Sequence, residues 1–123
     1  HISHYLEMAG ERVGKDFAPH GVKVALGCLV SVYLYRKAVL AGFPELRPLQ
    51  DEILQMPTVE ALENLYTNIG LPTRFGDIGV DPALLQETVE KAYTMRERFT
   101  IMTFLHGKNM LEKLSSEIVE RFA

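Results

Sequence analysis

A continuous apolar stretch, residues 24–35 (VALGCLVSVYLY), constrains the fold more than any other feature of the chain. Pro19-His20-Gly21 precedes it with turn signals that can open a helix. Arg36, Lys37 and then Gly42 follow it, as is usual at a helix C-terminus. Because apolar residues fall on nearly every face, such a helix must be surrounded by other elements. The sequence therefore predicts a buried central helix with His20 at its N-terminal end.

The length of this stretch argues against a membrane span, and the number of cysteines in the chain argues against a disulfide framework. It is shorter than the roughly 20 apolar residues that a bilayer requires, so a core helix is favoured. A buried strand pair is the alternative, because Val and Cys are poor helix formers. The chain has one cysteine, Cys28, which excludes internal disulfides and is expected to be a small buried hydrophobe.

The rest of the chain predicts further helices and no strand. Thr58 is a good N-cap for a helix that ends near Gly70, and Asp81 precedes Pro82 at the start of a helix lasting to about Arg96. The 123 residues are enough for one domain. We predict an all-α fold, a compact bundle of about five helices around the central one. The residues expected to face inward from the helix after Thr58 are Ala61, Leu62, Leu65 and Ile69.

Composition and the first residue limit the classes of function. The formal net charge of −3 argues against a nucleic-acid partner, which would require a basic patch. The chain begins with His1 rather than Met, which favours a fragment of a longer protein. No signal sequence follows, and the single cysteine fits a reducing cytoplasm.

Histidines carry the only site chemistry that the residues suggest. His1 and His4 are three positions apart, so both can project from one side of a helix that precedes His20. Neutral imidazole binds zinc, nickel or iron, and a helix N-terminus keeps His20 neutral. The spacing is not a standard metal signature, so a disordered terminus, a surface histidine and a hydrogen-bonding histidine remain the alternatives. His106 is expected to be structural.

Four segments together resemble a known family. Residues 4–8 (HYLEM) and 20–27 (HGVKVALG), the latter containing H-G-x-x-V-x-x-G, are similar to the start of the helical C-terminal domain in the iron-containing alcohol dehydrogenase and dehydroquinate synthase superfamily. Residues 3–8 (SHYLEM), 77–80 (DIGV) and 95–100 (MRERFT) resemble the bacterial-type glycerol-1-phosphate dehydrogenases within that superfamily. The resemblance spans about residues 2–114.

The resemblance implies two domains with different roles. An N-terminal domain, absent from this chain, binds NAD(P)H, so no cofactor-binding residue is assigned here. Residues 1–123 are then the metal-binding helical C-terminal domain. His20 matches the second histidine ligand, and the first ligand position falls just before His1, which takes that role if the spacing has slipped. His4 matches a substrate-facing, catalytic histidine that hydrogen-bonds the substrate or relays a proton.

The implied enzyme reduces dihydroxyacetone phosphate, a phosphorylated triose, to glycerol 1-phosphate with a divalent metal (zinc, nickel or iron) and NAD(P)H. This places it in the cytoplasm and in phospholipid metabolism, leaves a homo-oligomer open, and predicts that the chain alone is inactive. Two alternatives remain. One is a domain of a glycerol dehydrogenase or a dehydroquinate synthase-like protein, and the other is a free-standing helical interaction module.

Overall fold

The computed structural model of this chain describes residues 2–14, 16–94 and 101–123. No strand occurs within these ranges, which confirms the predicted all-α class. They contain seven α-helices rather than about five, and two of the seven are short, with 6 and 7 residues. The α-helices are α1 (Ile2–Val13), α2 (His20–Leu40), α3 (Gln50–Gln55), α4 (Val59–Ile69), α5 (Pro82–Lys91), α6 (Ile101–Gly107) and α7 (Leu111–Phe122), with 3-10 helices at Pro44–Leu49, Phe75–Ile78 and Ala92–Thr94.

Helix α2 is the predicted central helix and contacts α1, α3, α4, α6 and α7. Its fully buried side chains form the middle of the core; they are Leu26, Leu29, Val30, Leu34 and Ala38. The helix stops at Gly42, whose φ of 79° suits glycine and whose N–H donates to Val39 at 3.0 Å. Within the described ranges no single helix is long and apolar enough to cross a membrane; α2 and Pro44–Gln55 meet that test together only as a pair bent by 116°.

Helix α1 packs antiparallel along α2 and also contacts α5. Its first residue, Ile2, lies on the middle of α2, where a Cβ added at Gly27 would be 3.6 Å from the Ile2 Cβ. Leu6 is fully buried, and the Tyr5 hydroxyl donates to Glu87 at 2.7 Å. This packing places His4 and the residues that follow it beside the first turn of α2.

Local signals set both ends of α4 and the start of α5 as the sequence predicts. The Thr58 hydroxyl accepts a hydrogen bond from the Ala61 N–H at 3.1 Å, and Gly70 ends α4 with a φ of 81°. The Asp81 carboxylate accepts from the Leu84 N–H at 2.7 Å at the start of α5. The α-helix α5 ends at Lys91, earlier than the predicted end near Arg96, and a 3-10 helix covers Ala92–Thr94. Residues 95 and 96 lie outside the described residues.

Two predictions about buried faces are wrong. Cys28 is exposed, because α2 leaves one side uncovered where Val24 and Cys28 reach solvent. On α4, Leu65 and Ile69 are 50% and 62% exposed, while Tyr66 is only 8% exposed. The inward side chains of α4 are Val59, Tyr66 and, as predicted, the partly buried Leu62, whereas the predicted Ala61, Leu65 and Ile69 are exposed.

Candidate functional site

His20 is the first residue of α2 and follows Pro19, the N-cap, which provides no side-chain cap. Its imidazole is 60% exposed. Because the first N–H groups of a helix have no partner within the helix, the start of α2 is a polar surface beside this ring. The helix start therefore presents an accessible imidazole.

His4, on α1, lies beside His20, with the two ring centroids 6.2 Å apart. Its side chain is 41% exposed. The structure thus brings two of the predicted site residues together across the loop between α1 and α2. The third, His1, lies outside the described residues. His106 hydrogen-bonds and stacks on Tyr93, as a structural role requires, with the Tyr93 hydroxyl and His106 Nε2 3.0 Å apart.

Glu7 lies between the two histidines, and its role was not predicted from the sequence. One carboxylate oxygen accepts a hydrogen bond from Nδ1 of His20, and the other is 3.9 Å from Nδ1 of His4. The only sequence signal was the three-residue spacing of His4 and Glu7, which puts both on one side of α1. His4, Glu7 and His20 are called the histidine–carboxylate cluster below.

Lys23 supports this cluster from inside the protein. It is 5% exposed, and its Nζ lies 3.9 Å from Glu7 and 3.6 Å from Asp16. A buried ammonium is tolerated only when opposite charges compensate for its lost hydration, and here two carboxylates do so. A shallow basin of ≈ 400 Å³ adjoins it, lined by Glu7, Gly10, Glu11, Gly14, Asp16 and Lys23.

The charges around Glu7 favour its ionised form. The hydrogen bond from His20, followed by the charges of His20, Lys23 and His4, holds the pKa of the Glu7 carboxyl below its ordinary value. Partial burial acts in the opposite direction and is outweighed. Glu7 is therefore an anionic hydrogen-bond acceptor throughout the neutral range.

The cluster fits a metal ion in the chemistry of its donors but not in their number. Imidazole nitrogen and carboxylate oxygen are donors that zinc, nickel and iron accept. Within residues 2–14, 16–94 and 101–123, no group of three or more His, Cys, Asp and Glu side chains is arranged to hold a metal ion. His20 and its neighbours would thus need further ligands from beyond the described residues.

The fold and the cluster define a helical domain with a histidine–carboxylate site at the junction of two helices. The chain is 30% identical over 112 residues to the glycerol-1-phosphate dehydrogenase [NAD(P)+] of Bacillus velezensis, covering 86% of this chain and 28% of that protein. It is 29% identical over 117 residues to the Bacillus subtilis enzyme of that name (90% and 30% covered), and 26% identical over 122 residues to the Methanococcus maripaludis one (98% and 31%).

These relatives confirm the resemblance on which the sequence prediction rests. The chain is homologous to part of the glycerol-1-phosphate dehydrogenases, and it spans about 30% of the length of the relatives it matches. No family model and no solved structure matches the chain.

Proposed function

We propose that residues 1–123 are the helical, metal-binding domain of an NAD(P)-dependent glycerol-1-phosphate dehydrogenase. The observation that carries the proposal is the sequence relationship, which covers 86–98% of this chain in the three relatives described above. The proximity of His4, Glu7 and His20 supports it as well, because imidazole and carboxylate are donor types that divalent metals accept. The superfamily alternatives, a glycerol dehydrogenase or a dehydroquinate synthase-like protein, lack a comparable observation.

In this proposal His20 would be one ligand of a divalent metal, and His1 or the residue position before it would be another. When bound, such a metal would supply Lewis-acid polarisation of the substrate ketone. His4, whose ring is close to His20 and accessible, would hydrogen-bond the substrate oxygen and hand it a proton. Zinc, nickel and iron all accept this donor chemistry.

The nucleotide is assigned to a partner domain rather than to this chain. Residues 2–14, 16–94 and 101–123 contain no glycine-rich loop between a strand and a helix, which is the usual cradle for a dinucleotide. NAD(P)H would be held by an N-terminal nucleotide-binding domain and would deliver hydride to the ketone carbon. A reaction that consumes NAD(P)H also suits the predicted cytoplasmic location.

The experiment that tests the proposal uses the protein encoded by the complete reading frame that contains this chain. We expect dihydroxyacetone phosphate to be reduced, with NADH or NADPH consumption followed by absorbance, and glycerol 1-phosphate to be the product. Activity should be lost after chelation and should return with a divalent metal. The 123-residue chain alone should show no turnover, and His20→Ala should remove both activity and metal from the complete protein. Preferred oxidation of glycerol, with no use of the phosphorylated ketone, would refute the proposed substrate.

A further inference from the structure

Glu7 is held from three directions at the start of α2. Its carboxylate accepts a hydrogen bond from His20 Nδ1, faces the buried Lys23 ammonium at 3.9 Å, and lies 3.9 Å from His4 Nδ1. Lys23 is itself fixed by burial and by Asp16. The contact between Glu7 and His20 therefore depends on packed groups and not on two flexible surface side chains alone.

We propose that Glu7 is a positioning residue that holds the His20 proton on Nδ1 and so leaves the Nε2 lone pair available to a divalent metal. The inference rests on the proposed function for the identity of that ligand. A neutral imidazole has one donor nitrogen and one acceptor nitrogen, and the hydrogen bond at one of them decides the other. A carboxylate accepts only, so Nδ1 must donate to it.

The outward edge of the ring supports this assignment. Nε2 of His20 makes no hydrogen bond to a described residue, and the side chain is 60% exposed. In metal sites, a ligating histidine commonly donates its second ring N–H to a carboxylate, which fixes the ring orientation and raises the basicity of the ligating nitrogen. The contact between Glu7 and His20 has this arrangement.

The first test observes the proton directly in the 123-residue chain without metal. Nitrogen-15 NMR of the imidazole rings at about pH 8, above the ordinary histidine pKa of about 6.5, distinguishes the two neutral tautomers. We expect His20 to carry its proton on Nδ1 in the wild-type chain. Glu7→Ala should move the proton to Nε2, whereas Glu7→Gln, whose amide oxygen still accepts, should retain it on Nδ1. An Nε2-protonated ring in the wild-type chain would overturn the inference.

The second test measures metal affinity by titrating Zn²⁺ or Co²⁺ into the complete protein. Glu7→Ala should weaken binding by about 10–100-fold, the usual effect of removing a group that orients a ligand. Glu11→Ala is the matched control, because Glu11 lies one turn further along α1, lines the same basin and has no ion pair or side-chain hydrogen bond with His4 or His20. If both variants lost the same metal affinity, the loss would come from the change in net charge, and the positioning role of Glu7 would be refuted.

The two tests separate this inference from the proposed function. Absence of metal binding by the wild-type protein would refute the metal-dependent function, while the tautomer would still decide whether Glu7 orients His20. Metal binding that is unchanged in Glu7→Ala would refute the inference alone. Circular dichroism of each variant identifies any loss of fold, and the Glu7→Gln rescue is a result that a purely structural role would not produce.

Discussion

Among single residues, Tyr66 is a polar anchor between α4 and the central helix. It is 8% exposed, and its hydroxyl donates to the Ala25 carbonyl at 2.9 Å. Burial raises the pKa of the Tyr66 phenol above the ordinary value of 10.0. The folded chain thus holds this proton more tightly than the unfolded chain. Its contribution to stability is fully present below pH 10 and is lost as the pH rises through the folded-state pKa.

Tyr66→Phe should therefore lower the free energy of unfolding at pH 7 by about 1 kcal/mol, the usual net value of such a hydrogen bond. The difference between wild type and variant should shrink above about pH 10, as the phenol ionises. Urea denaturation at several pH values measures both effects. Tyr35→Phe is the control, because the Tyr35 hydroxyl has no hydrogen bond to a described residue; an equal loss at pH 7 would contradict the role of Tyr66.

Gly21, the residue after His20, shows no steric need for glycine in this structure. A Cβ added there would meet no atom within 4 Å, and its φ is not positive. Gly21→Ala should therefore raise the free energy of unfolding by about 0.5 kcal/mol, since alanine favours helices and restricts the unfolded chain. Thermal or urea unfolding of the isolated chain checks this. A loss of stability would show that the backbone here is more crowded than the structure indicates.

Of the candidate site, the sequence predicted the histidines but not what connects them. His20 was marked by the turn that opens α2, and His4 by its similarity to a family motif. Glu7 was left without a role, because its contact with His20 joins residues 13 positions apart. That contact exists only once α1 packs antiparallel on α2. Helix periodicity places a side chain on a face, but tertiary packing decides what that face meets.

Among the helices, α5 depends most clearly on a local signal. The Asp81 carboxylate accepts from the Leu84 N–H at 2.7 Å, and Pro82 occupies the first helical position. Because α5 packs against both α1 and α7, loss of this cap should destabilise the whole domain and not α5 alone. Asp81→Ala should lower the free energy of unfolding by about 1 kcal/mol, measured by urea denaturation.

A matched carboxylate lies in the turn just before α5. Asp77 is exposed within the 3-10 helix Phe75–Ile78, and its side chain makes no hydrogen bond to a described residue. Asp77→Ala should change the free energy of unfolding by less than about 0.5 kcal/mol, as is usual for a surface substitution that removes no cap and no buried contact. Equal effects of the Asp77 and Asp81 variants would mean that net charge, not capping, is responsible.

Helix ends were predicted better than helix faces. The caps of α4 and α5 act within three residues, so the sequence alone specifies them. The prediction of the inward face of α4 was wrong because that helix has two apolar stripes. Leu65 and Ile69 form one, but the larger Tyr66 lies on the other and satisfies its hydroxyl on α2. A buried aromatic ring with a partner for its polar atom outweighed the aliphatic pattern.

At the scale of the domain, as far as residues 2–14, 16–94 and 101–123 describe it, the central helix is covered on most of its circumference but open along one stripe. A groove of ≈ 270 Å³ runs beside this stripe, and Val24, Cys28, Ser31 and Tyr35 of α2 line it. The apolar composition of residues 24–35 predicted a helix enclosed on all sides. Instead, the described part of the domain leaves Cys28, the single cysteine of the chain, in contact with solvent.

The accessibility of Cys28 distinguishes an open stripe from an enclosed helix. Thiol reagents react with exposed thiolates, whereas a thiol within a packed core reacts only after the chain unfolds. We expect one thiol per folded chain to be modified without denaturant, at a rate comparable to that of the unfolded chain. Cys28→Ser provides the blank, and circular dichroism before and after modification confirms that the fold persists. A thiol that reacts only in step with urea unfolding would mean that α2 is enclosed, as its composition suggests, and that the groove is closed in solution.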